Sequence, residues 1–469
     1  MKRAMAVLAL LLGAAGVHAA VVAAPGWAVY AIPASGTVQG GVVRAGEAIL
    51  VGRGDFGAGT ESVVRIEGGM PTTIATGFSS LGGFDLDAAG TLYVVDNCLE
   101  CGASTGDTVY AIPDALTRTT PVTAAGHEVV PAGTVPTAFD VLAVGPGDLL
   151  VTDAVGNGAG RVLAVTPGHA ANLITGLDLT GGIARAADGS LRVVSAFLNM
   201  DFTTTGKVLR FALDGTPQGA LVSGLAGGSG AAVDGDGNVL VTGIGSFGDT
   251  KMIAVAPDGS VTDRATGFAF SGDVFYDGTR DEALVVDFGV TDVIAICRDR
   301  DEDGVCDADD SCTGPAAIVK GKVGFAHLDT PSGDDSVAFK GEMAIPTDPA
   351  LDPVATGVRI LLEDDAGAIL DAAIPGGAFD DALGTGWKAK KGTFKYKSGV
   401  GGIGGITKIT LKVSTKVPGL VRFVVQGKKG GYRSSTAVHA TLALDARAGE
   451  CGDAALVCVP KKAGKVECK

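Results

Sequence analysis

The twelve residues from Asp299 to Asp310 combine residue type and spacing in a way that specifies chemistry. Counted from the first of them, carboxylates fall at positions 1, 3, 5, 9 and 12, and a glycine occupies position 6, where a loop around a cation must turn sharply. Position 7 would contribute its main-chain carbonyl. Because all of these ligands are oxygen atoms, the spacing predicts a calcium site rather than a zinc site. The predicted ligands are Asp299, Asp301, Asp303, the carbonyl of Val305, Asp307 and Asp310.

The segments on either side of this loop do not have helical patterns. Val293 to Cys297 has the pattern of a strand, and Ser311 to Pro315 has that of a chain break. The loop therefore lacks the two helices of an EF-hand. The stretch from Asp299 to Cys312 instead resembles a single thrombospondin type 3 repeat, whose calcium loops carry no helices and are tied by disulfides. The alternative is an acidic, solvated linker that binds nothing in particular.

A strand pattern recurs six times before this loop, in the form of an aliphatic residue and valine followed by Asp, Ser or Gly. The copies are Ile49 to Gly52, Leu92 to Asp96, Leu149 to Asp153, Leu191 to Ser195, Val239 to Gly243 and Leu284 to Asp287. An Asp/Gly turn commonly precedes the strand, and one or two further strands follow it in most copies. Four antiparallel strands in about 45 residues form one propeller blade, so residues 27–297 are predicted to form a six-bladed β-propeller.

The closure of the predicted ring can also be derived from the sequence. Trp27 to Pro33 repeats the third-strand sequence Thr108 to Pro113, yet it precedes the first complete blade. We expect this segment to pair with the last blade, between Phe270 and Cys297. Closure would then join both ends of the repeat region.

These repeats resemble the NHL and SMP-30/gluconolactonase group of six-bladed propellers over residues 27–297. The resemblance implies a divalent cation in the central channel, held by acidic and amide side chains, and lactonase or lyase activity. Candidate ligands at matching strand ends are Asp96, Asn97, Asp153 and Asp287, with Glu47 as a weaker fifth. At the equivalent strand end, the other three repeats have Gly52, Ser195 and Gly243, which carry no carboxylate. An aspartate at the end of such a strand also commonly caps the following turn, which is the alternative to metal binding.

Residues 316–446 have a different pattern, with about seven short alternating segments that predict an antiparallel β-sandwich. The fold class is thus all-β throughout, with residues 298–315 as a calcium-binding linker. Residues 447–469 are predicted to form a C-terminal hairpin, in which Cys458 and Cys468 flank a turn and could form a cross-strand disulfide. Cys98 and Cys101 are predicted to form a small structural disulfide, because no helix follows them to support redox chemistry.

The N-terminus has the pattern of a secretory signal peptide over residues 1–19. Lys2 and Arg3 precede an apolar run, and Val17 to Ala19 supplies a small-residue cleavage site. Eight cysteines are consistent with export and with disulfides. The residues through Cys312 include 16 basic and 36 acidic side chains, a formal net charge of −20, and this acidic first domain argues against a nucleic-acid partner.

Together these patterns favour a secreted, monomeric, calcium-binding protein without a transmembrane segment. Its propeller is predicted to act as a non-enzymatic binding or adhesion module for an extracellular ligand or protein, with calcium stiffening the hinge between the two domains. The alternative is a metal-dependent lactonase or lyase of the SMP-30-like class with its site in the propeller channel.

Overall fold

The fold is described from a computed structural model of the chain. It describes residues 20–54, 60–97, 106–156, 158–198, 204–246, 248–300, 302, 304–310, 312–313, 316–328, 333–345, 347, 350–364, 366–399, 402–444 and 451–469. The predicted signal peptide, Cys98, Cys101, Asp301 and Asp303 lie outside these residues. The chain divides into two compact units, Met1–Arg298 and Asp299–Lys469.

The first unit consists of short antiparallel strands joined by tight turns. In chain order they are β1 (Val22–Ala23), β2 (Trp27–Pro33), β3 (Val38–Ala45), β4 (Ala48–Arg53), β5 (Glu61–Glu67), β6 (Met70–Phe78), β7 (Leu81–Leu86), β8 (Leu92–Asp96), β9 (Thr108–Ile112), β10 (Val122–Thr123), β11 (Ala138–Gly145), β12 (Asp148–Asp153), β13 (Gly160–Thr166), β14 (His169–Leu177), β15 (Thr180–Arg185), β16 (Leu191–Leu198), β17 (Thr204–Phe211), β18 (Pro217–Leu225), β19 (Ala231–Val233), β20 (Val239–Ser246), β21 (Asp249–Val255), β22 (Val261–Phe268), β23 (Ser271–Asp277), β24 (Glu282–Asp287) and β25 (Asp292–Arg298).

These strands form six sheets, which are the blades of a propeller. The blades begin with β3, β7, β11, β15, β19 and β23, respectively, and each of these first strands contacts the first strand of the next blade. Strand β23 also contacts β3, so the ring of six closes. The buried aliphatic residues of the blades pack between neighbouring sheets, as Val43, Val63 and Val94 do between the first two. The predicted six-bladed propeller is therefore confirmed.

The ring closes through the N-terminal strand, as the sequence predicts. Strand β2 pairs antiparallel with β25 along its whole length, from Trp27 opposite Arg298 to Pro33 opposite Asp292. The last blade thus takes one strand from the beginning of the unit and three from its end. This arrangement protects the outer edge of β25, which would otherwise expose unpaired backbone groups.

The second unit is also built of strands, with a single short helix among its described residues. Its elements are β26 (Ala316–Ala317), β27 (Val319–Ala326), β28 (Asp335–Ala344), α1 (Pro353–Thr356), β29 (Val358–Asp364), β30 (Gly367–Ile374), β31 (Gly386–Lys390), β32 (Thr393–Lys397), a 3-10 turn at Ile403–Gly405, β33 (Ile406–Val413), β34 (Leu420–Gly430), β35 (Ala437–Ala443), β36 (Cys451–Lys462) and β37 (Lys465–Cys468).

The strands of the second unit belong to one curled sheet rather than to two separate sheets. Strand β36 is long enough to pair with β35 through its first half and with β37 through its second, and so it connects the two halves of the sheet. Side chains from both halves, among them Ile360, Leu442, Phe339 and Phe423, share one core. The C-terminal hairpin is thus part of this sheet, and the predicted all-β fold class is confirmed.

Disulfides hold the second unit together. Cys312 is bonded to Cys451, and Cys458 is bonded to Cys468 across β36 and β37. Cys297 and Cys306 are also disulfide-bonded, and no described cysteine is free. Disulfides of this kind indicate an oxidising compartment. No helix in the described part of the chain is both long and apolar enough to span a membrane.

Candidate site at the propeller axis

Six equivalent residues, one from each blade, lie at the same level of the propeller axis. Each comes immediately before a first-strand residue that pairs with a valine of the second strand, as Asp140 comes before Val141, which pairs with Val151. The corresponding pairs in the other blades are Val42 with Val51, Phe84 with Val94, Ile183 with Val193, Ala231 with Val241 and Val274 with Val285. In blade order they are Gly41, Gly83, Asp140, Gly182, Gly230 and Asp273. Four glycines and two aspartates therefore form the ring.

The glycines allow the first strands to approach one another by their backbones. A Cβ atom at Gly83 would lie 1.9 Å from Oδ1 of Asp140, and one at Gly41 would lie 2.4 Å from the nitrogen of Phe84. At Gly182 the nearest atom would be the nitrogen of Ala231, at 2.3 Å. These separations are too short for any side chain, so only the two aspartates of the ring place side chains at this level.

The two aspartates belong to the third and sixth blades, which are opposite one another in a six-membered ring. Oδ2 of Asp140 accepts a hydrogen bond from the nitrogen of Ile183 in the next blade, at 2.8 Å. Oδ2 of Asp273 accepts the equivalent bond from the nitrogen of Val42, at 3.1 Å. The axis therefore has an approximate twofold pattern, in which each carboxylate ties its blade to the following one.

A third carboxylate, Asp85, lies in the second blade, two residues after the ring residue Gly83. Its Oδ2 accepts a hydrogen bond of 2.7 Å from the nitrogen of Ala143 in the next blade, and its Oδ1 accepts one of 2.8 Å from the nitrogen of Leu86. Asp85 and Asp273 are partly exposed, whereas Asp140 is only 4% exposed. Asp85 and Asp273 are thus more exposed than Asp140.

Burial raises the pKa of all three carboxyl groups, because a charged carboxylate is poorly solvated among backbone atoms. The pKa of Asp85 rises to about 6 and that of Asp273 to about 7, in both cases against the lowering effect of backbone N–H donors. The pKa of Asp140 is raised well above its usual range by burial and then by the nearby charge of Asp273. Groups that titrate near neutral pH are suited to proton transfer.

Within the described part of the chain, the strand-end carboxylates predicted to ligate a channel metal do not form a group that could hold one. Asp96, Asp153 and Asp287 are buried, and each accepts hydrogen bonds from backbone nitrogens just before its own blade's first strand, such as the 2.7 Å bond from Ser79 to Asp96. They hold the segment that leads into the first strand of their own blade, whereas the alternative derived from the sequence was a cap on the following turn. Glu47 is exposed in the turn between β3 and β4. Those residues are therefore corrected to structural roles.

Sequence reasoning missed Asp85, Asp140 and Asp273 because they precede the recurring strand rather than end it. A signal was present for Asp140, since aligning the repeats on their Asp, Ser or Gly places it opposite Gly83, Gly182 and Gly230. Asp273 lies one residue out of this register. An alignment of the repeats does not show which residues of the neighbouring blade donate hydrogen bonds to these carboxylates. The donors Ile183, Val42 and Ala143 all come from other repeats.

The predicted calcium loop is described in part. Its chain turns at Gly304, which has a φ of 90° and donates a 3.0 Å hydrogen bond to Oδ2 of Asp299. Asp307 accepts a 3.0 Å bond from the nitrogen of Arg300, and Asp310 accepts one of 2.8 Å from the nitrogen of Cys312. Val305 is 41% exposed. Asp301 and Asp303 lie outside the described residues, so calcium binding here stays a prediction.

Comparison with known proteins finds neither a matching protein-family model nor a matching curated protein. Solved structures do match. A gluconolactonase from Xanthomonas campestris is 13% identical, with 60% of this chain and 98% of that chain covered and a TM-score of 0.42. Regucalcin from Agrobacterium tumefaciens, described as a calcium-binding protein, is 14% identical, with 57% and 91% covered and a TM-score of 0.41. A PQQ-bound aldose sugar dehydrogenase from Streptomyces coelicolor is 13% identical, with 59% and 99% covered and a TM-score of 0.40.

The prediction of a non-enzymatic binding or adhesion module is contradicted by these comparisons. The proteins that resemble the propeller include a gluconolactonase and regucalcin. The similarity is low and is a likeness of fold. Any chemistry of this chain must therefore be argued from its own residues.

Proposed function

We propose that the propeller is a hydrolase that opens lactones, small cyclic esters, at its central axis. The observation that carries this proposal is the pair of partly exposed carboxylates, Asp85 and Asp273, whose pKa values lie at about 6 and about 7. Between these values one group is ionised and the other is protonated. The pair can then act as general base and general acid at the same time.

The reaction requires one water molecule and two proton transfers. Ionised Asp85 takes a proton from water as the water oxygen attacks the lactone carbonyl carbon. Protonated Asp273 gives its proton to the ring oxygen as the carbon–oxygen bond breaks, which leaves a hydroxy acid. Exchange of protons with solvent restores both groups. The negative charge of ionised Asp85 favours retention of the proton on Asp273.

A divalent metal, which the resemblance to SMP-30 implies, does not fit the described axis. Among the described residues, no three His, Cys, Asp or Glu side chains lie close enough together to hold a metal ion. The axial carboxylates also use oxygens to accept backbone hydrogen bonds, and glycines occupy the other four positions of the ring. The proposed reaction therefore uses carboxylates alone.

The test measures hydrolysis of a panel of five- and six-membered sugar lactones. The rate is recorded as the release of protons at constant pH. We expect a bell-shaped dependence of kcat/KM, with limbs near the pKa values of Asp85 and Asp273. Asp85→Asn should remove the acidic limb and lower kcat by about 100-fold, as expected for loss of a general base. Glu47→Gln, a change at an exposed turn of the same unit, is the matched control. Folded Asp85→Asn protein with unchanged kcat would contradict the proposal.

We also propose that the loop from Asp299 to Asp310 binds one calcium ion, as in the thrombospondin type 3 repeats that it resembles. The support is its ligand spacing and the turn at Gly304, with Asp299 and Asp307 already oriented by backbone hydrogen bonds. Calorimetric titration with calcium should give one site. That site should be absent after Asp301→Ala plus Asp303→Ala and retained after Asp381→Ala, an exposed carboxylate outside the loop. Equal binding by all three proteins would exclude this site.

Export is proposed from the first nineteen residues and is supported by the disulfides of the second unit. We propose that the exported protein is a monomer that acts on an extracellular small molecule and not on nucleic acid. Mass spectrometry of the protein from culture medium should show a mature N-terminus directly after Ala19. A retained Met1 would contradict processing at this site.

A further inference from the structure

A cleft of about 320 Å³ lies at one end of the curled sheet in the second unit. Its walls come from four places in the chain: the segment after β27, the beginning of β28, the beginning of β30 and the segment after β34. The residues that line it include Leu328, Asp335, Ala368, Ile369, Tyr432 and Arg433. A volume of this size is at the lower end of the range for small-molecule sites.

Asp335 is the unusual member of this cleft. Its residue is only 3% exposed, and its Oδ2 accepts a 2.7 Å hydrogen bond from the nitrogen of Tyr432. Its Oδ1 is buried without a hydrogen-bond partner, and none of the ion pairs among the described residues involves this carboxylate. A buried carboxylate oxygen with no donor is unfavourable, because it has lost its water and gained nothing in return.

The neighbouring cation does not neutralise Asp335, because it is already engaged elsewhere. Arg433 donates to the carbonyl of Ala368 at 2.8 Å and to that of Gly367 at 2.6 Å, and it forms an ion pair with Asp364. These contacts also fix the beginning of β30 beside the cleft. One positive and two negative groups leave a formal charge of −1, which is located on Asp335.

Among the described residues, apolar side chains supply the smaller part of the cleft's accessible lining, and packing holds them in place. The hydroxyl of Tyr432 donates a 2.8 Å hydrogen bond to the carbonyl of Gly404, and its ring packs against Gly430, where a Cβ atom would lie 2.3 Å from the ring. Ile369 is 8% exposed and packs in the core of the unit. The cleft thus combines a few fixed apolar side chains in a largely polar lining with a buried, uncompensated carboxylate.

We propose that this cleft binds a small organic cation through a primary ammonium group. The ammonium would donate to Oδ1 of Asp335 and supply the missing positive charge, and a short alkyl stem would lie against Leu328 and Ile369. The ring of Tyr432 adds a surface that attracts cations. This site lies in a different unit from the proposed hydrolase axis, so neither proposal depends on the other.

The test uses n-butylammonium chloride as the probe and n-butanol as its neutral counterpart, with binding to the full mature chain measured by saturation-transfer NMR and calorimetry. We expect saturable binding of n-butylammonium and none of n-butanol. Asp335→Asn should weaken n-butylammonium binding at least tenfold, because the amide carries no charge. Asp381→Asn, an equal change of charge at an exposed position of the same unit, should leave it unchanged.

A second variant keeps the test decisive if Asp335→Asn is unstable. Ala368 is exposed at the rim of the cleft, and Ala368→Leu would narrow the opening without removing a buried contact. It should also weaken binding of n-butylammonium while the melting temperature stays unchanged. The proposal is overturned if folded wild-type protein shows no saturable binding, if n-butanol binds equally well, or if the folded variants bind as the wild type does.

Discussion

Glycine at four of the six axial positions decides how closely the blades of the propeller approach. Where the ring has glycine, backbone atoms of neighbouring blades come within hydrogen-bond distance, as in the 2.6 Å bond from the nitrogen of Gly182 to the carbonyl of Ser229. Where it has aspartate, the carboxylate makes the bridge instead. The size of a single side chain therefore controls the width of the axis.

Gly83→Ala should test this dependence. The added Cβ atom would lie 1.9 Å from Oδ1 of Asp140, so either the carboxylate or the strand must move. Overpacking of this kind costs about 1 to 3 kcal/mol, and we expect that loss in urea unfolding of the propeller. Gly278→Ala is the control, because its Cβ atom would meet nothing closer than 3.7 Å. Similar stability of the two variants would show that the axis is looser than described.

The axial carboxylates should also make stability depend on pH. Burial raises their folded-state pKa values from 3.8 to about 6 for Asp85 and to about 7 for Asp273. Between about pH 4 and 7, the folded state therefore binds more protons than the unfolded state. The free energy of unfolding should fall as the pH rises through this range. Asp273→Asn should flatten this slope, and Glu47→Gln should not. Urea unfolding at a series of pH values measures it, and a slope unchanged by Asp273→Asn would refute the assignment.

A single strand, β2, closes the ring of blades by pairing with β25. Besides its backbone pairing, β2 is fixed by the hydroxyl of Tyr30, which donates a 2.5 Å hydrogen bond to Glu282. Glu282 is fully buried and also forms an ion pair with Arg44 of the first blade. This one carboxylate therefore joins the N-terminal strand, the last blade and the first blade.

Loss of Glu282 should weaken the closure far more than loss of an exposed ion pair. Glu282→Ala leaves Arg44 largely buried without this partner, which typically costs about 3 to 5 kcal/mol. Tyr30→Phe removes only one hydrogen bond and should cost about 1 kcal/mol. Lys251→Ala breaks an exposed pair with Asp263 and should cost under ~1 kcal/mol. Thermal unfolding gives the ranking, and an equal effect of Glu282→Ala and Lys251→Ala would rule out a role in closure.

The elements of the propeller could be predicted because each repeat carries its own strand and turn signals. The closing strand was predictable for the same reason, since Trp27 to Pro33 repeats the sequence of a third strand. The axial site was not, because Asp140 and Asp273 acquire their surroundings from other repeats. The single curled sheet was also missed, since the sequence does not show that β36 continues from one half of the sheet to the other.

At the scale of the whole molecule, both units carry disulfide-bonded cysteines, but the ring of the propeller closes by other means. Its closure depends on strand pairing and a buried ion pair, and Cys297 in β25 is also disulfide-bonded. The second unit has one disulfide that spans 139 residues, from Cys312 to Cys451, and one that spans 10, from Cys458 to Cys468. Because the cost of closing a chain loop grows with its length, the two bonds should contribute unequally.

Removing each disulfide by a pair of Cys→Ser changes should show this inequality. Chain-entropy arguments give about 5 kcal/mol for the loop between Cys312 and Cys451 and about 3 kcal/mol for that between Cys458 and Cys468. Calorimetry of the full chain should therefore show a larger fall in the melting temperature of the second unit for the first pair. The propeller transition should stay in place in both variants, because neither bond lies in that unit. A larger effect from the shorter loop would mean that packing around Cys458 and Cys468, rather than chain entropy, dominates.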